Sequence, residues 1–413
     1  MGYQKETIKG ASWIGALRVT TRVIALIKTT VIARLLSPSA FGVFGISMVV
    51  MALLEILTET GINVFLLQEK DDVDEFVNTS WVVSIFRGVL IAIILVLCSS
   101  LVASFFKSPE SQPLIILVSL VPLIRGFINP SEIKLQKDLK FKKDFVFRFT
   151  IFTFDALVAI VATLITKNAA GAIFGLIAGA ILEVVLSFLI VKPRPKFILE
   201  IEKTRKVLDR GKWITGAGIF DYLFENIDDI TVGRFLGSGP LGLYQMAYKL
   251  ATLPITEVAD VFGKVTLPIY VKISGDTKRI KRAFIKSTIG IAFLTIPFGI
   301  VLILFSKQII LIILGKNWLD AAPAVQFITV YAILRAIINP ALTLFLSVKK
   351  QEYVTSVILL GTITLGISII PLTVKLGLVG AGISTIIAVS VMIPMTIFYT
   401  IKLFNGKWTS TNE

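Results

Sequence analysis

Three cations stand in the first long apolar stretch of the chain: Arg18, Arg22 and Lys28. Arg18 and Arg22 are four residues apart, so on a helix they share one face. Lys28 projects within about 120° of them at about 100° per residue. A guanidinium is a planar fork of donors that matches phosphate oxygens, so such a strip can grip a phosphorylated headgroup. Arg87, Arg125 and Arg335 add cations to three further apolar stretches. The opposite chemistry gathers in the stretch after residue 213, where Asp221, Glu225 and Asp228, with Asp229 beside them, occur in sequence. The first three project within about 60° of one another on a helix. Carboxylates crowded in a low dielectric repel one another, which suits uptake of a proton or of Na⁺. Plain charge pairing with the first stretch or with Lys249 explains them equally well. Glu55, Glu59, Asp155, Glu183, Glu257 and Asp260 could neutralise the arginines, and their order in the chain does not rank them.

The surroundings of these charges give them their meaning. Of 413 residues 55% are hydrophobic and 17% charged, and the mean hydropathy is +0.85. A transmembrane helix takes about 20 mostly apolar residues. Twelve such stretches are read here: 8–34, 41–67, 80–106, 113–133, 145–166 and 169–191, then 213–235, 241–269, 284–313, 321–346, 353–374 and 379–401. An ionisable side chain at the bilayer centre costs about 2.5–3.5 kcal/mol on insertion scales. Such residues therefore face a protein interior or a wet cavity, unless they snorkel to the interface. The fold class expected is an all-α integral membrane protein of twelve helices. The net charge of +15 then reads as topology rather than as a nucleic-acid footprint. With both termini cytoplasmic, the basic segments 133–148, 192–212, 272–286 and 348–352 all fall on the cytoplasmic side, as the positive-inside rule expects. The acidic loop Glu69–Glu75 falls there too, but acidic residues contribute little to orientation. The absence of histidine removes the commonest metal ligand and near-neutral proton switch. The lone Cys98 carries no disulfide. No cofactor is expected beyond a coupling ion, and no cleavable leader is expected, because the first apolar stretch runs on through its charges.

The chain repeats itself. Trp13-Ile14 recurs as Trp213-Ile214, Arg34-Leu35-Leu36 as Arg234-Phe235-Leu236, and Gly42-Val43-Phe44 as Gly242-Leu243-Tyr244, all at an offset of 200 residues. Leu123–Pro130 (LIRGFINP) recurs as Ile333–Pro340 (ILRAIINP) at an offset of 210. Two ordered blocks map the first stretch onto the seventh and the fourth onto the tenth. Six spans per unit is an even number, so both units insert in the same orientation, as parallel repeats do, and the substrate site of such transporters lies at the repeat interface near the bilayer middle. The organisation expected is a six-helix lobe over 1–195, a cytoplasmic linker over 196–212 and a second six-helix lobe over 213–413.

Several of these residues carry a resemblance. Ala33–Gly42 (ARLLSPSAFG) resembles the first-loop signature of the Wzx-type polysaccharide flippases, members of the multidrug/oligosaccharidyl-lipid/polysaccharide (MOP) exporter superfamily. Asn226-Ile227-Asp228, Val232–Gly237 and Leu241–Tyr244 resemble the start of that family's second lobe, and Gly315-Lys316-Asn317-Trp318 its loop before the tenth span. The resemblance implies a MATE-like pair of six-helix bundles in the cytoplasmic (inner) membrane. It implies a substrate of undecaprenyl-diphosphate-linked oligosaccharide, moved outward by alternating access and commonly driven by an ion gradient. Glycosyltransferases and a polymerase of the same pathway would be partners. A twelve-span chain lacks the two further helices of the peptidoglycan-precursor flippases, which argues against lipid II. Two other readings stay open. A multidrug exporter is disfavoured by the basic first span, and a membrane-embedded glycosyltransferase or polymerase by the short external loops.

Overall fold

The computed structural model describes residues 2–62, 66–67 and 74–405, with the side chains of 2–11, 206–221 and 224 outside the description. The acidic loop from Glu69 to Val73 lies outside the described residues. Among those described, the regular structure is helical: α1 Gly2–Leu35, α2 Pro38–Leu57, α3 Asp74–Phe105, α4 Ser111–Val118, α5 Leu120–Arg125, α6 Lys134–Lys137, α7 Phe141–Thr166, α8 Ala170–Ile190, α9 Ile201–Leu236, α10 Ser238–Lys272, α11 Thr277–Leu304, α12 Ser306–Ile313, α13 Ala322–Ser347 and α14 Gln351–Asn405. Seven helices among the described residues are long and apolar enough to cross a membrane, or eight if a bent pair is one span. The other long helices, α1, α9 and α10, carry Arg18, Arg22 and Lys28, the acids from Asp221 to Asp229, and Glu257 with Asp260. Within α14, Gly377 has φ 63° and ψ −140°, so two helices meet there at a kink that a side chain would strain. The bilayer explains the all-helical solution, because only a helix satisfies its own backbone polar groups in hydrocarbon. It also explains why Leu97, Ile165 and Phe293 are each at least 75% exposed: in water so much apolar surface would be untenable.

Local chemistry sets the helix ends. Ser37 caps α2 by accepting from the Ala40 amide at 3.2 Å, with Pro38 at the first turn. Asp276 caps α11 by accepting from the amides of Lys278 and Arg279, both at 3.0 Å.

The chain divides into two compact units, Met1–Asn226 with Gly237–Gly239, and Ile227–Leu236 with Pro240–Glu413. Helix α9 begins at Ile201, within the hydrophilic stretch between the repeats, and runs through it. In the first unit α7 packs along both α8 and α1. Gly171, Gly175 and Gly179 recur every four residues on α8, and a Cβ at Gly175 would overlap Ala159 of α7. Small residues at this spacing let two backbones approach closely in a membrane. In the second unit α13 packs on α11 and α14, over a core of Ile255, Ala259, Ile291, Ala332 and Ala336. The Gly315-Lys316-Asn317-Trp318 motif is architectural here: Gly315 takes φ 99° and Trp318 is 1% exposed.

The two copies of the Asn-Pro block fold differently. Asn339 and Pro340 sit inside continuous α13. Asn129 and Pro130 instead break the span: Ser111–Arg125 and Pro130–Lys137 meet at 71°. Buried Asn129 holds the break from three sides. Its side chain accepts from the Ser131 amide and donates to the Pro193 carbonyl, and its own amide donates to Ser187 Oγ, all at 3.0 Å.

Candidate functional site

The break in the first unit opens a cavity of about 550 Å³. Its charges arrive from six elements. Glu55 comes from α2 and Glu59 from just past its end, Arg87 from α3, Arg125 from the end of α5, Glu132 from the 3-10 turn Pro130–Ile133, Arg148 from α7 and Glu183 from α8. Arg87 is firmly held. It donates to Glu59 Oε2 at 3.1 Å, to the Glu55 carbonyl at 2.5 Å and to Thr58 Oγ1 at 3.3 Å. The Thr58 hydroxyl in turn donates to the Leu54 carbonyl at the α2 C-terminus. Arg148 donates to Asp144 at 3.0 Å, one helical turn earlier. Arg125 is held loosely, 4.0 Å from Glu55 and 3.7 Å from Glu183. Glu132 Oε2 is buried with no hydrogen-bond partner among the described residues.

On α1, Lys28 spans to α7 and binds both carboxylate oxygens of Asp155, at 2.7 and 2.8 Å. Both side chains are largely buried, so each charge has its counter-ion where water is scarce. Arg18 is half-buried and Arg22 exposed on the same helix, and both make contacts of their own.

The second unit holds a different cluster. Asp228, 4% exposed, accepts from the Tyr244 hydroxyl at 2.8 Å and from the Asp229 amide at 2.9 Å. Asp229 accepts from Gln245 at 2.9 Å. The Tyr244, Tyr248 and Tyr331 rings follow at centroid distances of 6.3 and 6.4 Å, and the Arg335 guanidinium lies 5.9 Å from the Tyr331 ring and donates to its hydroxyl. A row of aromatic rings thus links an acid on α9 to a cation on α13.

The sequence-derived residues therefore separate. Arg87 and Arg125 line the cavity of the first unit, Lys28 is bridged to Asp155, and Asp228 and Arg335 belong to the second unit's cluster. Glu225 is exposed on α9; the Asp221 side chain lies outside the described residues. Reading the sequence missed Glu132 and Tyr244 as participants. Tyr244 stood in the repeat block, where its counterpart is Phe44, and that gain of a hydroxyl was the available signal. Among the described residues no three Asp, Glu or Cys side chains are grouped as a metal site.

Helices of this length and apolarity, with compensated charges buried among them, define a multi-pass helical membrane protein, and its fold is shared with solved structures. The chain superposes on a structure described as the lipid II flippase MurJ in an inward closed conformation, with TM-score 0.74 at 19% identity over 94% of this chain and 88% of that one. It also superposes on an inward-facing MATE family transporter of the MOP superfamily, with TM-score 0.69 at 16% identity over 95% and 96% of the two chains. It is 25% identical over 354 residues to the lipopolysaccharide biosynthesis protein WzxC of Escherichia coli (strain K12), covering 85% of this chain and 72% of that protein. The family model described as "Polysaccharide biosynthesis protein" matches residues 31–323. The chain belongs to that family.

Proposed function

We propose that this protein is a flippase, not an enzyme. It moves an oligosaccharide carried on undecaprenyl diphosphate from the cytoplasmic to the outer leaflet of the inner membrane by alternating access. The observation that carries the reading is the cavity of the first unit: cations and carboxylates lie along a broken span inside an apolar helical bundle, where the bilayer would otherwise penalise them. Membership of a polysaccharide biosynthesis family and likeness in fold to a lipid II flippase support it. Arg18 and Arg22 on α1 grip the diphosphate while the polyprenyl tail stays in lipid. Lys28, Arg87, Arg125 and Arg335, each within reach of acids or aromatic rings, tune the path rather than bind the anion alone. Asp228 and Asp229 in the second unit carry the coupling ion, H⁺ or Na⁺. A charge crossing the membrane exchanges about 2.3 kcal/mol per 100 mV, enough to bias a two-state equilibrium. Both termini face the cytoplasm, in accord with the basic loops, and glycosyltransferases and a polymerase of the same pathway supply and consume the cargo. Deleting the gene from its host tests the reading: lipid-linked repeat units should accumulate on the cytoplasmic leaflet while surface polymer disappears. Surface polymer at normal levels, with no such accumulation, contradicts it.

A further inference from the structure

The first unit's cavity has the wrong charge balance for a phosphate. Four carboxylates line it, from Glu55, Glu59, Glu132 and Glu183, against the three guanidiniums of Arg87, Arg125 and Arg148. With carboxyl groups outnumbering guanidiniums, an entering diphosphate would meet no surplus of cations. What the cavity offers instead is unused hydrogen-bonding capacity. Arg125 sits 4.0 and 3.7 Å from its two carboxylates, beyond the 2.7–3.2 Å of a hydrogen bond. Both gaps separate a group that only donates from a group that only accepts. A hydroxyl placed between them does both at once. Glu132 Oε2 is a buried acceptor with no donor among the described residues, and buried acceptors are rarely left so. Phe152 contributes an aromatic side chain to the same wall. The volume of about 550 Å³ falls within the 300–1,000 Å³ typical of ligand pockets. The charges are reachable, since the Arg125 side chain is 43% exposed and that of Glu55 31%.

The geometry points to a saccharide subsite inside the first unit: the cavity receives neutral pyranose rings, their hydroxyls bridging Arg125 to Glu55 and Glu183 and supplying Glu132, with a C–H face against Phe152. This rests on the flippase reading and divides the substrate between two places. The diphosphate goes to the α1 arginines and the sugar to the cavity. Recognition of ring hydroxyls common to many sugars needs no single glycan.

Equilibrium binding to the full chain in lipid nanodiscs tests it, with three probes: undecaprenyl diphosphate, the same lipid bearing glucose, and the same lipid bearing N-acetylglucosamine. Both glycosylated probes should bind about tenfold tighter than the bare lipid. Glu183→Gln, which keeps shape and removes charge, and Phe152→Ala, a change at a 42% exposed side chain, should each cut that increment below about twofold while leaving bare-lipid affinity unchanged. A wild type with no increment for either sugar, or an increment that survives in both variants, overturns the saccharide subsite and leaves the flippase reading standing. A wild type that binds none of the three lipids overturns the flippase reading itself.

Discussion

The Tyr244 hydroxyl donates to Asp228 Oδ2 at 2.8 Å, and the repeat offset of 200 residues places Phe44 and Lys28 at the corresponding positions of the first unit. One duplicated position has thus acquired opposite charges. In the first unit the cation Lys28 is neutralised by Asp155. In the second the acid Asp228 is held by a phenol that its counterpart lacks. A hydrogen bond from a neutral donor stabilises a buried carboxylate without cancelling its charge, which is the property the proposed coupling role of Asp228 requires. Lys28 and Asp155, by contrast, neutralise each other as an ion pair.

Replacing Tyr244 by Phe keeps the ring and removes the donor. Leaving a buried acceptor short of its partner costs about 1–3 kcal/mol, so the midpoint of thermal unfolding in detergent should fall. Asp228→Asn should instead change how transport depends on the applied H⁺ or Na⁺ gradient. A gradient response identical to that of the wild type would remove Asp228 from coupling.

Breaking the Lys28–Asp155 pair from one side strands a charge. Asp155→Ala should destabilise by about 1–3 kcal/mol, discounted for partial exposure, whereas Lys28→Met combined with Asp155→Leu should recover most of the loss. Unfolding midpoints of the two variants and the wild type decide it: a double variant as unstable as the single one would show that the pair does not act as a unit.

On α8, Gly175→Leu would drive a side chain into Ala159 of α7. Overpacking costs about 1–3 kcal/mol where neighbours can shift, and more here because backbone also lies in the way. Gly239→Ala, with nothing within 4 Å of the new atom, serves as control. Size-exclusion profiles should show the first variant aggregated and the second unchanged. A well-behaved Gly175→Leu would contradict the close approach of α7 and α8.

The membrane-spanning character of the chain was legible in its apolar runs, because bilayer thickness imposes a length on any span. The duplication was legible in short blocks such as Trp13-Ile14 and Trp213-Ile214. What the blocks did not reveal is their divergence. Arg125–Pro130 and Arg335–Pro340 read almost alike, yet only the first breaks its helix. The cause is remote: Asn129 meets Pro193 and Ser187, each about sixty residues away. The cavity was hidden for the same reason. Glu55, Glu59 and Glu183 appeared in the sequence as acids able to neutralise arginines, but no spacing linked them to Arg87 or Arg125. Glu132 gave no signal, because it stood at the very end of the fourth apolar stretch, beside the basic segment 133–148.

Removing the α1 cations should separate binding from stability. Arg18→Ala with Arg22→Ala should lower transport about tenfold or more, since each lost charged phosphate contact is worth roughly 1.5–3 kcal/mol, while leaving the melting temperature close to that of the wild type. Full transport in this double variant would take both residues out of the substrate path.

The most direct test is transbilayer movement in vesicles that contain only the purified protein. A fluorescent polyprenyl-diphosphate sugar, probed from outside by a membrane-impermeant quencher, should become fully accessible at a rate well above that of protein-free lipid, and faster with an ion gradient imposed. Movement at the protein-free rate, with and without a gradient, would contradict the account.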